Sequence, residues 1–181
     1  MKRFLIMISV LTLCLTFLLV IPAMAVEPTV TTSRSGPDSV DVGVAQSWII
    51  TIEICPDDED LEEVIVQGGI GADLAITMVN STSVTHPMDK KTEQTVGNVT
   101  LIKKGGKMGA TIVKWDIGTL VSCLTLELTV ETGLNPKDKQ EFTSAELDHE
   151  LDGGFSATYT YSGIEYETIE TEPLTVDVVE G

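Results

Sequence analysis

Histidines, clustered carboxylates and cysteines are the side chains here with the reach for chemistry. The histidines are His86 and His149. His149-Glu150 has no second histidine four positions after the first, so the helical zinc-protease pair is excluded. No further histidine is present to complete a zinc cluster. No Gly-x-Ser-x-Gly turn offers a nucleophilic serine. A surface position is the plainer reading of both histidines.

Two acidic stretches follow different patterns. Asp57, Asp58, Glu59 and Asp60 run together after Pro56. Clustered carboxylates are hard oxygen ligands and suit calcium. Their spacing matches no calcium loop, and no glycine stands where a tight ligand loop needs one. Glu146, Asp148, Glu150 and Asp152 instead alternate, with Leu147 and Leu151 between them. They could line one strand face and hold a cation, or flank a turn at Gly153-Gly154. Calcium is therefore the one cofactor to consider, at Asp57–Asp60 or at Asp148 and Asp152, and solvated acidic turns are the plainer reading. Paired carboxylates for glycoside hydrolysis need an aromatic-lined cleft, and only 5% of the residues are aromatic. Gly68-Gly69 and Gly71 are no phosphate loop, because neither a helical pattern nor Lys-Ser/Thr follows. Asn80 and Asn98 head two sequons, Asn80-Ser81-Thr82 and Asn98-Val99-Thr100.

The chain begins with Lys2-Arg3, an apolar run from Phe4 to Ile21, Pro22, and Ala23-Met24-Ala25. This is the layout of a secretory signal over residues 1–25, cleaved after Ala25. An uncleaved membrane anchor is the rival reading. Without the leader, 11 − 2 = 9 basic residues face 28 acidic ones, a net charge of −19. Such a surface repels nucleic acid and anionic lipid. Cys55 and Cys123 remain after the leader, and an even count in an exported domain suggests one disulfide.

The elements that must position these residues are strands. Trp48, Ile50, Ile52 and Ile54 alternate with Ile49, Thr51 and Glu53. Trp115 and Ile117, then Leu124, Leu126, Leu128 and Val130, repeat the period of two. Gly118-Thr119 is read as the start of the reversal between them. These residues form the expected core. Further strands are predicted at 61–67, 74–79, 99–103, 110–117, 141–144, 155–161, 164–169 and 174–179, with Ser162-Gly163 as a hairpin turn. Residues 80–97 are read as a long loop. Residues 26–38 form an N-terminal edge strand or linker around Thr29–Arg34, with a turn at Gly36-Pro37-Asp38. Residues 39–181 form one antiparallel β-sandwich. Counting strands from Gln46, the turns holding Cys55 and Cys123 fall at the same end, so a bridge between them is geometrically open.

The run QSWIITIEI (Gln46–Ile54), the later valine strand with its Gly-rich turn, and Trp115-Asp116-Ile117-Gly118-Thr119-Leu120 before a Leu/Thr strand form a recognisable set. It resembles the conserved repeat domain of bacterial and archaeal surface proteins, of the "domain of unknown function eleven" type. The resemblance spans most of 39–180. It implies an immunoglobulin-like sandwich in cell-surface and cell-wall proteins, with no catalytic residues. Cys55 and Cys123 stand where that family usually has Asn and Gly, which supports the bridge.

The expectation is a non-enzymatic module, secreted or held at the cell surface, with a structural or adhesive role in the cell envelope. Its partners would be other envelope proteins or itself, with no nucleic acid, and with membrane contact only through an uncleaved leader. Two alternatives stay open. One is a filament subunit whose strand Val26–Arg34 inserts into a neighbour. The other is a calcium- or glycan-binding module.

Overall fold

The computed structural model describes residues 26–84, 93–102, 110–132, 142 and 144–181. The leader, His86, the Gly105-Gly106 join, the turn at 133–139 and the strand expected at 141–144, apart from Phe142 and Ser144, lie outside the described residues. The strands in order are β1 (Thr29–Ser35), β2 (Ser39–Asp41), β3 (Ser47–Cys55), β4 (Leu61–Ile70), β5 (Ala75–Val79), β6 (Thr82–Ser83) and β7 (Glu93–Val96). They continue as β8 (Val99–Ile102), β9 (Thr111–Leu120), β10 (Leu124–Glu131), β11 (Glu146–Glu150), β12 (Asp152–Tyr161), β13 (Ile164–Glu167) and β14 (Thr175–Val179). No helix occurs among the described residues.

Two sheets face each other as a β-sandwich. One runs β1-β3-β10-β5-β6, and the other runs β13-β12-β4-β9-β8-β7. A small third sheet, β11-β14-β2, borders them. Pairing is antiparallel except between β14 and β2, which run parallel. Alternation dictates the core. Trp48, Ile50, Ile52 and Ile54 of β3 and Leu126, Leu128 and Val130 of β10 turn one face inward. Val64, Val66, Val113, Trp115, Phe155, Ala157 and Tyr159 meet them from the second sheet. Each fully buried aliphatic side chain contributes about 1.5–3 kcal/mol of transfer free energy.

Several expectations need correction. Leu124 is 38% exposed and lies outside the core, because it heads β10 at the sandwich rim. Ile117 is only half-buried against the core. Gly118-Thr119 is not the reversal: β9 continues to Leu120, and Gly118 takes a φ of +74° where the β4 register slips beside it. Residues 80–97 are not one loop, for β6 and β7 lie within that span. The β7–β8 hairpin turns at Gly97-Asn98, with Val96 paired to Val99. Gly68 and Gly69 belong to β4 rather than to a loop after it. A Cβ on Gly68 would lie 2.4 Å from Phe155 Cδ1, so the glycine makes room for that ring.

Candidate functional site

Cys55 closes β3 and Cys123 immediately precedes β10. These strands are direct neighbours with Ile54 opposite Leu124, so one further step sets the two cysteines face to face. They form a disulfide, with Cα atoms 4.0 Å apart. The two strands that counting overlooked, β6 and β7, come as a pair between β5 and β8. The even number leaves both cysteines at the same end.

The acidic residues are dispersed. Asp57, Asp58, Glu59 and Asp60 form an exposed turn between β3 and β4. Glu146, Asp148 and Glu150 are exposed on β11, whereas Asp152 is buried on β12 in another sheet. Asp148 sits at a φ of +55°, its N–H donating to Asp177 Oδ1 at 3.1 Å. Among the described residues, no three His, Cys, Asp or Glu side chains are grouped to hold a metal.

Asp152 acts as an internal tie. Its Oδ1 accepts from the N–H of Leu174 at 2.9 Å and of Gly154 at 3.2 Å. Its Oδ2 is buried without a hydrogen-bond partner. Desolvation raises its pKa above the ordinary carboxylate value. The two backbone N–H bonds oppose that rise, and the nearby Glu150 charge adds to it. Nothing in the sequence distinguished this carboxylate from the three before it.

His149 is a second tie, with a side chain only 19% exposed. Its Nδ1 lies 2.9 Å from Glu146 Oε2, and the Phe142 ring packs edge-on with centroids 4.6 Å apart. Asp73 Oδ2 lies 2.9 Å from Nε2 but off the line of an N–H hydrogen bond, so that contact is electrostatic when the ring is protonated. Both sequon asparagines are also held. Asn80 Oδ1 accepts from the Glu127 N–H at 2.9 Å, and Asn98 Nδ2 donates to the Asp116 carbonyl at 2.8 Å.

A groove of about 650 Å³ crosses the outer face of the larger sheet where β4 and β9 slip register. Glu62, Glu63, Asp116 and Glu165 line it. Thr160 Oγ1 donates to Glu63 Oε2 at 2.8 Å. Tyr159, also in the lining, packs in the core and stacks on Tyr166 at 5.5 Å, its phenol pKa raised by burial and by the Glu27 charge. Sequence reasoning missed this groove, because its carboxylates come from three separate stretches of chain. Arg34 and Lys114 are the only lysines or arginines among the described residues, and neither lines it. Its field repels anions and favours cationic groups.

No family model and no curated protein sequence matches the chain. Distant likenesses to solved structures exist. A cohesin module of a Clostridium perfringens family 33 glycoside hydrolase shares 14% identity at a TM-score of 0.43, covering 86% of this chain and all of that one. The major pilin subunit BcpA of Bacillus cereus shares 13% identity at 0.42, over 85% of this chain and 40% of that one. AggA, the major subunit of aggregative adherence fimbriae type I of Escherichia coli, shares 11% identity at 0.40, over 86% of this chain and 96% of that one. At these scores the likenesses carry no argument about function.

Proposed function

We propose that this chain is a non-enzymatic structural or adhesive module working outside the cytoplasm through protein contacts. The observation that carries the reading is the disulfide that locks β3 to β10 at the rim of the core. Such bonds form and persist in oxidising compartments, which agrees with the signal-like leader. Among the described residues, the two groups best suited to acid–base work, His149 and Asp152, are both engaged with backbone or neighbouring side chains. What remains for function is sheet faces, edges and acidic turns, and these are surfaces for partners. The test is surface biotinylation of intact cells with a membrane-impermeant reagent, followed by crosslinking in place. Labelling and crosslinked envelope partners are expected. A chain found unlabelled, reduced and soluble in the cytoplasm would overturn the reading.

A filament subunit assembled by strand exchange is the second reading. β1 favours it: this N-terminal edge strand adds only Val30 to the apolar interior, beside Thr32 and Arg34. Exchange would reproduce the same β1–β3 pairing between neighbours. Deleting residues 26–35 without loss of assembly removes this reading. Calcium binding by the acidic turns has its own test. Calorimetry showing no heat, with no change in melting temperature, disposes of it.

A further inference from the structure

Sheet edges expose unpaired backbone groups, and proteins protect them with short strands, bulges, charge or proline. Among the described residues, five of the six sheet edges are protected in this way. β6 has two residues and β2 has three. β7 and β13 have four each, with Glu93 on the first and Glu165 and Glu167 on the second. β11 has five, but a register shift and three carboxylates interrupt it. The sixth edge, β1, differs. It runs seven residues, Thr-Val-Thr-Thr-Ser-Arg-Ser, in unbroken register with β3. It holds no acid, lysine or proline. Its one charge, Arg34, is turned away: Nε donates to the Thr175 carbonyl, Nη1 to the Pro37 carbonyl and Nη2 to Asp38. Among the described residues, no backbone hydrogen bond reaches β1 from any strand but β3.

We propose that the free edge of β1 docks a second copy of this chain, whose own β1 adds antiparallel to make one sheet continuous across the pair. Three observations select a second copy as occupant. First, each chain carries a formal charge of −17, so two copies repel over most of their surfaces and approach best along an edge without carboxylates. Secondly, the solvent-side positions of β1 are Thr29, Thr31, Ser33 and Ser35. A two-fold axis through Thr32 sets Thr31 opposite Ser33 of the other copy and Thr29 opposite Ser35. Small hydroxyl pairs of this kind stabilise antiparallel neighbours. Thirdly, the most exposed large apolar side chain among the described residues lies on the same flank. Ile169, 86% exposed, falls between Thr168 and Thr171, both bonded to β12. The Thr171 hydroxyl lies 3.4 Å from that of Thr32. A copy seated on β1 would cover Ile169, and two-fold pairing leaves neither β1 edge open.

The inference rests on the protein-contact reading, yet the two fail separately, since surface labelling does not depend on dimerisation. The test uses the exported, disulfide-bonded chain, in detergent if its leader is retained. Analytical ultracentrifugation should show a monomer–dimer equilibrium that tightens as salt rises. Amide exchange at residues 29–35 should slow with protein concentration. The double variant Thr31→Lys, Ser33→Lys places ammonium groups opposite one another in that register, and dimer affinity should fall by about tenfold or more. Should that variant not fold, amide exchange of the unaltered chain decides alone. A chain that stays monomeric at high concentration, a variant that dimerises equally well, or slowed exchange only outside 29–35 overturns the proposal. So does protection of β1 that arises only on adding other envelope proteins.

Discussion

Asp152 permits the most demanding test of the physical reasoning. It is 1% exposed and accepts two backbone N–H bonds through one oxygen, while the other oxygen has no partner. Burial is the largest influence and lifts its folded pKa above the ordinary 3.8. The sign of the linkage follows. Between 3.8 and the raised folded value, the folded chain holds a proton that the unfolded chain has released. Stability from this group is therefore complete at acid pH and is lost as pH rises through that window. Asp152→Asn keeps an oxygen for the N–H groups of Gly154 and Leu174 but removes the charge. Its amide nitrogen is left unpartnered, as the oxygen it replaces already is. Asp152→Ala strands both donors, each at a cost of about 1–3 kcal/mol. Removing the buried carboxylate offsets part of that, so a net loss of about 2–4 kcal/mol is expected at neutral pH. The assay is urea unfolding between pH 4 and 8, followed by the fluorescence of the buried Trp48 and Trp115. Subtracting wild type from Asp152→Asn cancels the other carboxylates. The difference should be near zero at pH 4 and move in favour of the variant as pH rises. A flat difference would show that folding leaves this carboxyl's affinity for protons unchanged, and one that moves against the variant would show that the charge stabilises the fold; either result refutes the desolvation argument.

Four further outcomes follow from the same geometry. Replacing both Cys55 and Cys123 by serine opens a link spanning 68 residues, which should lower stability by about 4 kcal/mol in denaturant titrations, an effect that reduction of the native protein should reproduce. Gly68→Ala pushes a methyl group towards Phe155 and the Gly154 carbonyl; overpacking of this kind costs about 1–3 kcal/mol, read as a drop in melting temperature. Arg34→Ala should cost about 1–2 kcal/mol by releasing the Thr175 and Pro37 carbonyls. Asp38 is 95% exposed, so Asp38→Asn should change unfolding free energy by less than about 0.5 kcal/mol.

The sandwich was legible in sequence because its central strands bury one face only. Trp48, Ile50, Ile52 and Ile54 declare β3, and Leu126, Leu128 and Val130 declare β10. Alternation says nothing, however, about where the facing sheet ends, and so Leu124 was misplaced. Gly118 reads as a turn because glycine permits positive φ in turns and bulges alike. The β7–β8 hairpin had a signal, Gly97-Asn98 between Val96 and Val99, but its four-residue strands are too short for a period to emerge from a polar background.

The acidic alternation from Glu146 to Asp152 shows why a site is harder to read than a fold. Period two predicts four carboxylates on one face, yet the period holds only within one unbroken strand. Here positive φ at Asp148 and a register shift interrupt β11, and Leu151 turns fully inward while Leu147 stays 73% exposed. Asp152 therefore starts a new strand in a different sheet, with its carboxylate directed at backbone donors instead of solvent. The same reasoning locates the surface that matters. Side-chain pattern reveals what a strand buries, whereas an edge is defined by which neighbour is missing. β1 carries no unusual residue and no chemistry, and only the strand order shows that no other described strand pairs with its outer backbone. Among the described residues, His149 and Asp152 are engaged within the fold, and that row of hydrogen-bonding groups along β1 is the handle the strand order offers a partner.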